Sequence, residues 1–515
     1  MTAMPPSIMV RPLSELLAHD MGIVATVPDI RVRDLTLDSR LVVEGSLFLA
    51  CRGTREHGLK YLPQALARGA AAVLWEPAPG VEPPQSGIPA VAVEKLSARA
   101  GEIAARFFGH PSKKLHCIGV TGTDGKTSTA YLVAQALERL DRRCLYIGTL
   151  GSGRYDALKP SDHTTPDPIN LQRRLHRALC DGFSTVAMEV SSHALDQFRV
   201  SGTNFHTAIL TNVGRDHLDY HGTLENYAGA KRKLFEREEL KSRVLNRDDA
   251  AGTVWAQQFP GSFVYGLEGA APPTSHYVLG RNLKLSARGI VFDLDSHAGK
   301  ARIESRLLGR FNAYNLLAAT AALLESGASL QEVCAALSRC ETVPGRIEGF
   351  RGPKASPLVV VDYAHTPQAL AQVLQAVRAH VAPGASAGDN KSFSMTPATA
   401  GKLWCVFGCG GDRDRGKRPL MGAAVAQYAD RAIVTDDNPR SEDPAGIARE
   451  IQAGFPAGFS APIIHSRAQA IETAVREAGP GDVVVVAGKG HEDYQIYGGE
   501  RRSFSDRVFV SGLVS

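Results

Sequence analysis

The sequence predicts an α/β protein of three domains: a small N-terminal α/β domain, a central domain with a mainly parallel sheet of the P-loop ATPase type, and a C-terminal Rossmann-like domain. Two observations lead to this prediction. A short apolar run, a glycine-containing turn and a helical pattern follow one another between Leu115 and Leu140. From there, β-prone runs alternate with helical patterns, which is typical of parallel sheets covered by helices. We expect the domains to span residues 1–112, 113–341 and 342–515.

Short β-prone runs mark the strands of the first two domains. In the N-terminal domain these runs are Ser46–Ala50 and Ala71–Trp75, and five prolines between positions 77 and 89 indicate the loop that follows. The central domain is expected to begin with the strand Leu115–Val120. Its next strands are predicted at Thr185–Val190 and Thr207–Val213.

A second series of strands begins in the C-terminal domain. Four apolar runs are each followed by a loop and a helical pattern: Leu358–Asp362, Leu403–Gly408, Arg431–Thr435 and Asp482–Ala487. In such a doubly wound sheet, ligands bind at the carboxyl ends of the strands. The segment Gly384–Gly401 is rich in Ala, Ser, Gly and Thr, and we interpret it as an exposed flexible loop.

The composition is that of an ordinary globular protein. The 515 residues are 44% hydrophobic and 22% charged, and the net charge of +5 is too mild and too evenly spread to indicate nucleic-acid binding. No segment approaches the roughly 20 apolar residues of a membrane span, and no signal peptide is apparent. Eight scattered cysteines, several in apolar runs, favour a reducing compartment. We therefore expect a cytoplasmic protein that acts on small molecules. That the protein is a monomer is a separate expectation.

The turn Gly122-Thr-Asp-Gly-Lys-Thr-Ser128 is the strongest single motif. It meets the pattern G-x-x-G-K-[ST], although the longer P-loop pattern would need glycine at Val120. Backbone N–H groups and the helix dipole would face an anion here. Lys126 could reach the terminal phosphates and Thr127 could hold Mg²⁺. The alternative is a plain strand–helix turn, and the flanking patterns favour the nucleotide site.

Three further residues of the central domain are candidates on weaker grounds. Glu189 ends a predicted strand, where a carboxylate can complete a Mg²⁺ shell or can be an ordinary strand-end group. His217 lies in the polar run Asn212–His217, as either a metal ligand or a capping histidine. Lys231 lies in a helical pattern, and the residues alone favour a solvated lysine.

Three polar loops follow three strands of the C-terminal domain. They are Gly408–Pro419, Asp436–Arg440 and Gly488–Glu492, and we expect them to converge on one edge of the sheet. Arg413 and Arg440 could each grip a carboxylate, while Asp437 and Glu492 could receive an ammonium group. Together they would suit a zwitterionic amino acid. Solubilising turns would explain any one loop but explain three poorly.

These motifs together resemble the Mur ligases, the ATP-dependent amide-forming enzymes of peptidoglycan assembly. The resemblance runs from about Leu35 to Asp506. It is carried by the glycine turn and by four other segments: Glu189–His193, Asn212–His217, Gly309–Asn315 and Val343–Glu348. The run Asp437-Asn-Pro-Arg440 further resembles the members that add meso-2,6-diaminopimelate to UDP-N-acetylmuramoyl-L-alanyl-D-glutamate.

The resemblance implies a role for each domain: the N-terminal domain for the uridine nucleotide, the central domain for ATP and the C-terminal domain for the incoming amino acid. It implies that the UDP-sugar dipeptide is bound by Leu37, Ser39, Thr54, Arg55, Glu56, Thr164, Thr165, Ser191, Gln197 and Arg199. It implies that ATP is bound by Gly122, Thr123, Asp124, Gly125, Lys126, Thr127, Ser128, Asn315 and Arg346. It implies that diaminopimelate is bound by Arg413, Asp437, Asn438, Pro439, Arg440, Gly488 and Glu492.

The resemblance also changes the interpretation of two residues. Lys231 resembles a lysine that is carbamylated in the family, and a carbamate would give Mg²⁺ an anionic oxygen where an ammonium would repel it. The metal would then be held by Thr127, Glu189, His217 and carbamylated Lys231. Asp124 stands where the family commonly has asparagine, which places an additional negative charge near the phosphates.

The activity that the resemblance implies is amide formation through an acyl phosphate, with Lys126, Lys231, His217 and Glu189 as catalytic residues. Three alternatives remain open. One is the sister enzyme that adds L-lysine, which Arg440 disfavours because lysine lacks the second carboxylate. Folylpolyglutamate synthetase is disfavoured by the Asp-Asn-Pro-Arg loop. The last alternative is a nucleotide-binding module without catalytic activity.

Overall fold

A computed structural model describes residues 9–17, 28–53, 56–272, 276–352, 356–381 and 400–515. The chain forms two compact units. The first contains the described residues of Met1–Gly266, Pro272–Tyr277 and Ala318–Ser329, and the second those of Leu267–Ala271, Val278–Leu317 and Leu330–Ser515. The predicted loop Gly384–Gly401 lies outside the described residues except for its last two positions.

Up to Gly266, short strands alternate with helices. The strands are β1 (Arg11–Pro12), β2 (Arg31–Val32), β3 (Asp34–Thr36), β4 (Ser46–Ala50), β5 (Ala70–Trp75), β6 (Ala90–Ala92), β7 (His116–Thr121), β8 (Cys144–Gly148), β9 (Gly151–Arg154), β10 (Ala157–Lys159), β11 (Thr185–Glu189), β12 (Thr207–Leu210), β13 (Ser242–Asn246) and β14 (Phe263–Gly266). The helices are α1 (Leu13–Leu16), α2 (Leu62–Ala67), α3 (Leu96–Phe107), α4 (Lys126–Arg139), α5 (Pro168–Cys180), α6 (Ser192–Asp196), α7 (Leu218–His221), α8 (Leu224–Arg232) and α9 (Ala250–Gln258).

Two sheets organise the first unit. The smaller has the order β3-β4-β5-β6, and all its pairs are parallel. The larger has the order β10-β9-β8-β11-β7-β12-β13-β14 and is parallel from β8 to β14. Every residue of β8, β11 and β12 is buried, which explains why these strands are continuous apolar runs rather than alternating ones. β7 lies between β11 and β12, so the turn that follows it opens in the middle of the sheet.

The elements from Tyr277 onward form an antiparallel group and then a second α/β series. The strands are β15 (Tyr277–Ser286), β16 (Gly289–Ser296), β17 (Gly299–Ser305), β18 (Glu348–Arg351), β19 (Leu358–Asp362), β20 (Leu403–Phe407), β21 (Arg431–Val434), β22 (Val483–Ala487), β23 (Tyr494–Tyr497) and β24 (Glu500–Ser503). The helices are α10 (Arg310–Glu325), α11 (Leu330–Ser338), α12 (Pro367–Arg378), α13 (Lys417–Tyr428), α14 (Pro444–Gln452), α15 (Arg467–Glu477) and α16 (Asp506–Val514).

The second unit is built on a five-stranded sheet with the order β18-β19-β22-β20-β21. Neighbouring strands of this sheet pair in parallel, except for the antiparallel pair of β18 with β19. Apolar cores lie on both faces: α12, α13 and α14 contribute to one and α15 and α16 to the other. The loops after β20, β21 and β22 therefore leave the sheet at the same end.

The α/β fold class is confirmed, and the predicted strands agree with the observed ones to within a few residues. β4 and β19 coincide with their predicted limits, whereas β11 ends at Glu189 rather than Val190 and β12 ends at Leu210 rather than Val213. The antiparallel strands β15–β17 were not predicted. Within the described ranges, no helix combines the length and apolar character that crossing a membrane requires.

Candidate active site

The glycine loop, Gly122–Ser128, joins the end of β7 to the start of α4. Gly122 and Gly125 have φ angles of 150° and 79°, a backbone region that glycine adopts readily. A Cβ atom on Gly122 would lie 1.9 Å from Thr211 Oγ1, so this position has no room for a side chain. The first N–H groups of α4 thus follow a turn that only glycine can make at this position.

Residues that follow β12 hold the backbone of the glycine loop. The Thr123 N–H donates to the Asn212 carbonyl (2.8 Å), and the Asp124 N–H donates to Asn212 Oδ1 (3.0 Å). The Asp124 carbonyl accepts from Thr211 Oγ1 at 2.6 Å. Asp124 itself is exposed, and its carboxylate raises the pKa of both Lys126 and Lys231, partly opposing the effect of burial. The additional negative charge of Asp124 therefore acts as a counter-charge to the two lysines.

Two lysine ammonium groups converge on one carbonyl oxygen in the glycine loop. Lys126 Nζ donates to the carbonyls of Gly122 (2.9 Å) and Thr123 (2.8 Å). Lys231 Nζ donates to the same Gly122 carbonyl at 2.7 Å. Burial lowers the pKa of Lys126, and burial together with the nearby Lys126 charge lowers the pKa of Lys231 to about 7.

The expectation that Lys231 is solvated is wrong. Its side chain is 1% exposed, and its Nζ lies 4.2 Å from the centre of the Tyr227 ring. The reason is tertiary packing: α8 carries Lys231 on the face that is directed at the glycine loop. A buried amine with a pKa near neutrality can lose its proton at physiological pH, which is the form that reacts with CO₂.

Glu189, at the end of β11, is fully buried, and both of its carboxylate oxygens accept hydrogen bonds. Its carboxylate accepts from Thr127 Oγ1 (2.8 Å), from the Tyr146 hydroxyl (2.6 Å) and from the Thr149 N–H (2.8 Å). The Thr149 hydroxyl lies 3.1 Å from the Thr164 hydroxyl, which connects this network to a predicted substrate residue. The hydroxyl and carboxylate oxygens of Thr127 and Glu189 are ligands of the kind that Mg²⁺ prefers, so they fit that ion.

His217 occupies the N-cap position of α7 with a φ angle of 51°, but its side chain forms no capping hydrogen bond there. The ring is 49% exposed, lies 3.4 Å from an Asp216 oxygen and makes an edge contact with His193. Across the described ranges, no three His, Cys, Asp or Glu side chains form a group that could hold a metal ion. A cation here would therefore depend on other oxygen donors, such as the Thr127 hydroxyl.

The predicted dipeptide residues cluster around Thr165. Its buried hydroxyl donates to the Glu189 carbonyl (2.8 Å) and accepts from the Ser191 N–H (3.2 Å). The Arg199 guanidinium donates to the Thr165 carbonyl (3.2 Å) and to the Gln197 side-chain oxygen (2.6 Å). These residues therefore adjoin the strand end that carries Glu189.

The predicted uridine-nucleotide residues lie near the first sheet. Leu37 packs against the apolar core of that sheet, and Ser39 Oγ donates to Gln64 Oε1 at 2.6 Å. Glu56 is exposed and bonded to the Tyr61 hydroxyl. Thr54 and Arg55 lie outside the described residues.

Two predicted ATP residues belong to the second unit. Asn315, in α10, is buried, and its Nδ2 donates to Asn312 Oδ1 at 2.8 Å. Arg346 is exposed, and its guanidinium lies over the Tyr363 ring at 5.5 Å.

Hydrogen bonds join the loops that follow the strands of the second unit, as expected for neighbouring strand ends. We call these loops the C-terminal loops, and they comprise residues 408–416, 435–442 and 488–492. The Gly411 N–H donates to the Asn438 carbonyl (2.9 Å), and Arg440 Nη1 donates to the Gly411 carbonyl (2.7 Å). The Asp412 carboxylate accepts from the Ser441 N–H and hydroxyl. The first two loops thus form one unit, and Arg413 is exposed on it.

Arg440 adopts a left-handed conformation, with a φ angle of 54°. Its N–H donates to the Ile496 carbonyl, and its carbonyl accepts from the Gly498 N–H, so the hairpin of β23 and β24 holds this backbone. Left-handed conformations of residues other than glycine cost about 1–3 kcal/mol and concentrate at functional sites. The bond to Gly411 uses one of the five N–H donors of the guanidinium, which leaves others for a ligand.

The third C-terminal loop brings a buried lysine between two predicted ligand residues. Lys489 Nζ lies 3.1 Å from Glu492 Oε2, 3.4 Å from Asn438 Oδ1 and 3.9 Å from Asp437 Oδ1. Gly488 has a φ angle of 119°, and a Cβ there would lie 2.6 Å from Asp437 Oδ2. Close contact between the second and third loops therefore requires glycine at this position.

Comparison with known protein families matches three consecutive parts of the chain. Residues 31–108 match "Mur ligase family, catalytic domain", residues 120–323 match "Mur ligase middle domain", and residues 390–490 match "Mur ligase, glutamate ligase domain". A protein of Alkalilimnicola ehrlichii named UDP-N-acetylmuramoyl-L-alanyl-D-glutamate–2,6-diaminopimelate ligase is 50% identical over 93% of this chain and 94% of its own length. The chain belongs to the Mur ligase family. It is accordingly an ATP-dependent enzyme that forms C–N bonds.

Two further proteins with the same printed name resemble this Mur ligase over nearly its whole length. The one from Ectopseudomonas mendocina is 46% identical and covers 96% of each chain. A solved structure titled as that of the 2,6-diaminopimelate ligase is 38% identical, with a TM-score of 0.77, over 98% of this chain and 99% of the other.

Sequence reasoning missed two buried arginines of the ligase. Arg418, in α13, is fully buried and bonded to both Glu442 (2.7 Å) and Glu450 (2.7 Å). The Arg418 guanidinium lowers the pKa of Glu442 to about 2, and Glu442 in turn accepts from the Asp412 N–H. This network fixes the loop that carries Arg413. The dense basic run from Arg413 to Arg418 was the available signal, but it did not indicate which member is buried.

Arg467, at the start of α15, is the second. It is fully buried, pairs with Asp506 (2.7 Å) and donates to the carbonyls of Ala487 (2.9 Å) and Asp436 (3.4 Å). One guanidinium thus ties α16 to the ends of two strands that carry C-terminal loops. No local motif distinguishes it from an exposed helical arginine.

Proposed function

We propose that this Mur ligase adds meso-2,6-diaminopimelate to UDP-N-acetylmuramoyl-L-alanyl-D-glutamate with conversion of ATP to ADP and inorganic phosphate, in peptidoglycan synthesis. The observation that carries the proposal is the convergence of the C-terminal loops. They bring two guanidinium-bearing residues and two carboxylates to one end of the sheet. The printed names of the relatives, 44–50% identical, agree with this substrate pair.

The charges of the C-terminal loops suit an amino acid with a second zwitterionic end. Arg413 and Arg440 would receive a carboxylate, since a guanidinium can donate two parallel hydrogen bonds to it. Glu492 and Asp437 would receive the ammonium group. Asn438, Pro439 and Gly488 would shape the space between them. L-Lysine has the distal ammonium but no distal carboxylate, so Arg440 would lack its partner with that substrate.

We propose that the reaction proceeds through an acyl phosphate. The γ-carboxylate of the D-glutamyl residue attacks the γ-phosphorus of ATP, and ADP leaves. The amine of diaminopimelate then attacks the acyl carbon, inorganic phosphate leaves with the C–O electron pair, and the amine loses a proton. Lys126 would offset the charge on the transferring phosphoryl group, which spreads over its oxygens in a loose transition state. The other residues that would bind ATP are Gly122, Thr123, Asp124, Gly125, Thr127, Ser128, Asn315 and Arg346.

The residues proposed to hold Mg²⁺ are Thr127, Glu189, His217 and carbamylated Lys231. When bound, the ion would supply electrostatic stabilisation of the phosphate oxygens. Carbamylation joins the neutral Lys231 amine to the carbon of CO₂ with loss of one proton, and so replaces a positive group by a negative one. The buried position of Lys231 and its lowered pKa support this proposal.

We propose that the UDP-sugar is bound by Leu37, Ser39, Thr54, Arg55 and Glu56, and the dipeptide by Thr164, Thr165, Ser191, Gln197 and Arg199. The domain limits 1–112, 113–341 and 342–515 and a monomeric state are part of the same proposal. All eight cysteines are free thiols, which supports the reducing environment of the cytoplasm.

An ADP-release assay tests the proposed function. Purified enzyme receives ATP, Mg²⁺ and the UDP-muramoyl-dipeptide, together with meso-diaminopimelate, with L-lysine or with no amino acid. We expect sustained ADP release only with diaminopimelate. Preference for L-lysine would identify the sister activity. The absence of amino-acid-dependent ADP release in all three arms would favour a nucleotide-binding module without catalysis.

A further inference from the structure

Lys489 is a buried cation that the proposed reaction does not use. Its side chain is fully buried, and its Nζ lies within 4 Å of Glu492, Asn438 and Asp437. All three are residues assigned above to the incoming amino acid. Burying a lysine is costly unless its charge is matched, so its presence here requires these partners.

The contacts of Glu492 divide its two oxygens into different roles. Oε2 accepts from Lys489 Nζ (3.1 Å) and from Asn438 Nδ2 (3.3 Å). Oε1 accepts no hydrogen bond from any residue that the structure describes, although the side chain is only 19% exposed. Oε2 is thus held in place by hydrogen bonds within the protein, while Oε1 is available to a ligand.

The same lysine limits the negative charge at the site. Asp437 and Glu492 are both largely buried, and two such carboxylates repel each other when no cation lies between them. With Lys489 between them, the three groups carry a net charge of −1. That is the charge that matches a single ammonium group.

We propose that Lys489 is a positioning residue for the amino-acid substrate. It holds Glu492, and with it Asn438 and Asp437, so that Glu492 Oε1 receives the distal ammonium of diaminopimelate. This inference rests on the proposed function. Lys489 acts through Glu492 rather than by touching the substrate.

Steady-state kinetics of Lys489→Met test the role, with Lys402→Met as the matched control. Lys402 is an exposed lysine of the same unit that has no part in the site. We expect the KM for diaminopimelate to rise about 30-fold or more in Lys489→Met, the lower end of the range for loss of one partner of a buried charge pair. The kcat and the KM values for ATP and the UDP-sugar dipeptide should change less than about threefold.

A double-mutant cycle with Glu492→Gln separates positioning from general damage to the fold. If Lys489 acts by holding Glu492, adding Lys489→Met to Glu492→Gln changes the KM for diaminopimelate little. Additive effects, or equal losses in the KM values of all three substrates, would overturn the proposal. If Lys489→Met loses its thermal transition, Lys489→Gln, which keeps a polar donor, enters the same cycle.

The wild-type arm keeps the two proposals separate. If the wild-type enzyme does not use diaminopimelate, the proposed function fails. If the wild-type enzyme uses it and the Lys489 variants keep an unchanged KM, only the positioning role fails.

Discussion

The glycine loop of the first unit and the C-terminal loops of the second hold their cationic side chains in opposite ways. Lys126 and Lys231 donate to backbone carbonyls, and within the described residues neither forms an ion pair with a carboxylate. At the C-terminal loops, Lys489 and the neighbouring Arg418 of α13 are each hydrogen-bonded to acidic side chains. The cations of the first region thus donate to uncharged carbonyl groups, whereas those of the second are paired with carboxylates.

The difference corresponds to the charge of the proposed ligands. A nucleoside triphosphate is a polyanion. Lysines that donate only to uncharged carbonyl groups can exchange those hydrogen bonds for phosphate oxygens with little loss of free energy. An amino acid with two zwitterionic ends carries no net charge, so its site gains specificity from where each charge lies rather than from their sum. Three substitutions test this contrast.

Lys126→Ala is expected to have the largest effect. It removes the cation that the proposed mechanism places on the transferring phosphoryl group. We expect kcat/KM for ADP release to fall about 1,000-fold or more, which corresponds to about 4 kcal/mol of transition-state stabilisation. Lys159→Ala, at an exposed lysine of the same unit, is the control. Near-normal turnover by Lys126→Ala would remove this loop from catalysis.

Lys231→Ala is expected to have the next largest effect, a loss of about 100-fold in kcat, on the scale of removing one preorganised electrostatic group. Lys233→Ala, at the half-exposed lysine that directly follows α8, is the control. Carbamylation needs the neutral amine, and the pKa of Lys231 is lowered to about 7. The neutral fraction therefore rises as the pH increases through 7.

The dependence on CO₂ provides the second measurement for Lys231. Wild-type enzyme that is depleted of CO₂ should lose activity and recover it on addition of bicarbonate, with a larger recovery at pH 8 than at pH 6. Lys231→Ala should show no such recovery. Activity that is independent of bicarbonate at both pH values would contradict the carbamate.

Arg440→Ala is expected to have the smallest of the three effects because it removes one contact to the incoming amino acid and leaves the residues of the glycine loop unchanged. We expect the KM for diaminopimelate to rise about 30-fold, within the range for loss of a charged hydrogen-bonded group, with kcat changed little. Arg449→Ala, at an exposed arginine of the same unit, is the control. An unchanged KM would show that Arg440 does not bind the distal carboxylate.

The strands that were predicted from the sequence agree with the structure because most of them are buried on both faces. β11 and β19 are uninterrupted apolar runs, and their loops contain the polar motifs, so strand limits and loop positions could both be predicted. The antiparallel strands β15–β17 contain stretches in which more exposed residues alternate with less exposed ones, so they are not continuous apolar runs.

The buried charges could not be predicted in the same way. Lys231, Arg418 and Arg467 lie in helical patterns that would suit an exposed face equally well. Their burial depends on which loops pack against those helices, and this is a property of the tertiary structure. For Lys231, only the resemblance to the family suggested otherwise, and the packing of α8 against the glycine loop gives the physical reason.

The two ammonium groups that share the Gly122 carbonyl have a consequence for proton balance. Because burial and mutual repulsion make Lys231 lose its proton near neutrality, an arriving triphosphate should restore it by drawing a proton from the solvent. Nucleotide binding would then consume protons, and its calorimetric heat would vary with the ionisation enthalpy of the buffer. A carbamate on Lys231 removes that acceptor. The protons taken up per nucleotide would therefore report what fraction of the enzyme is modified.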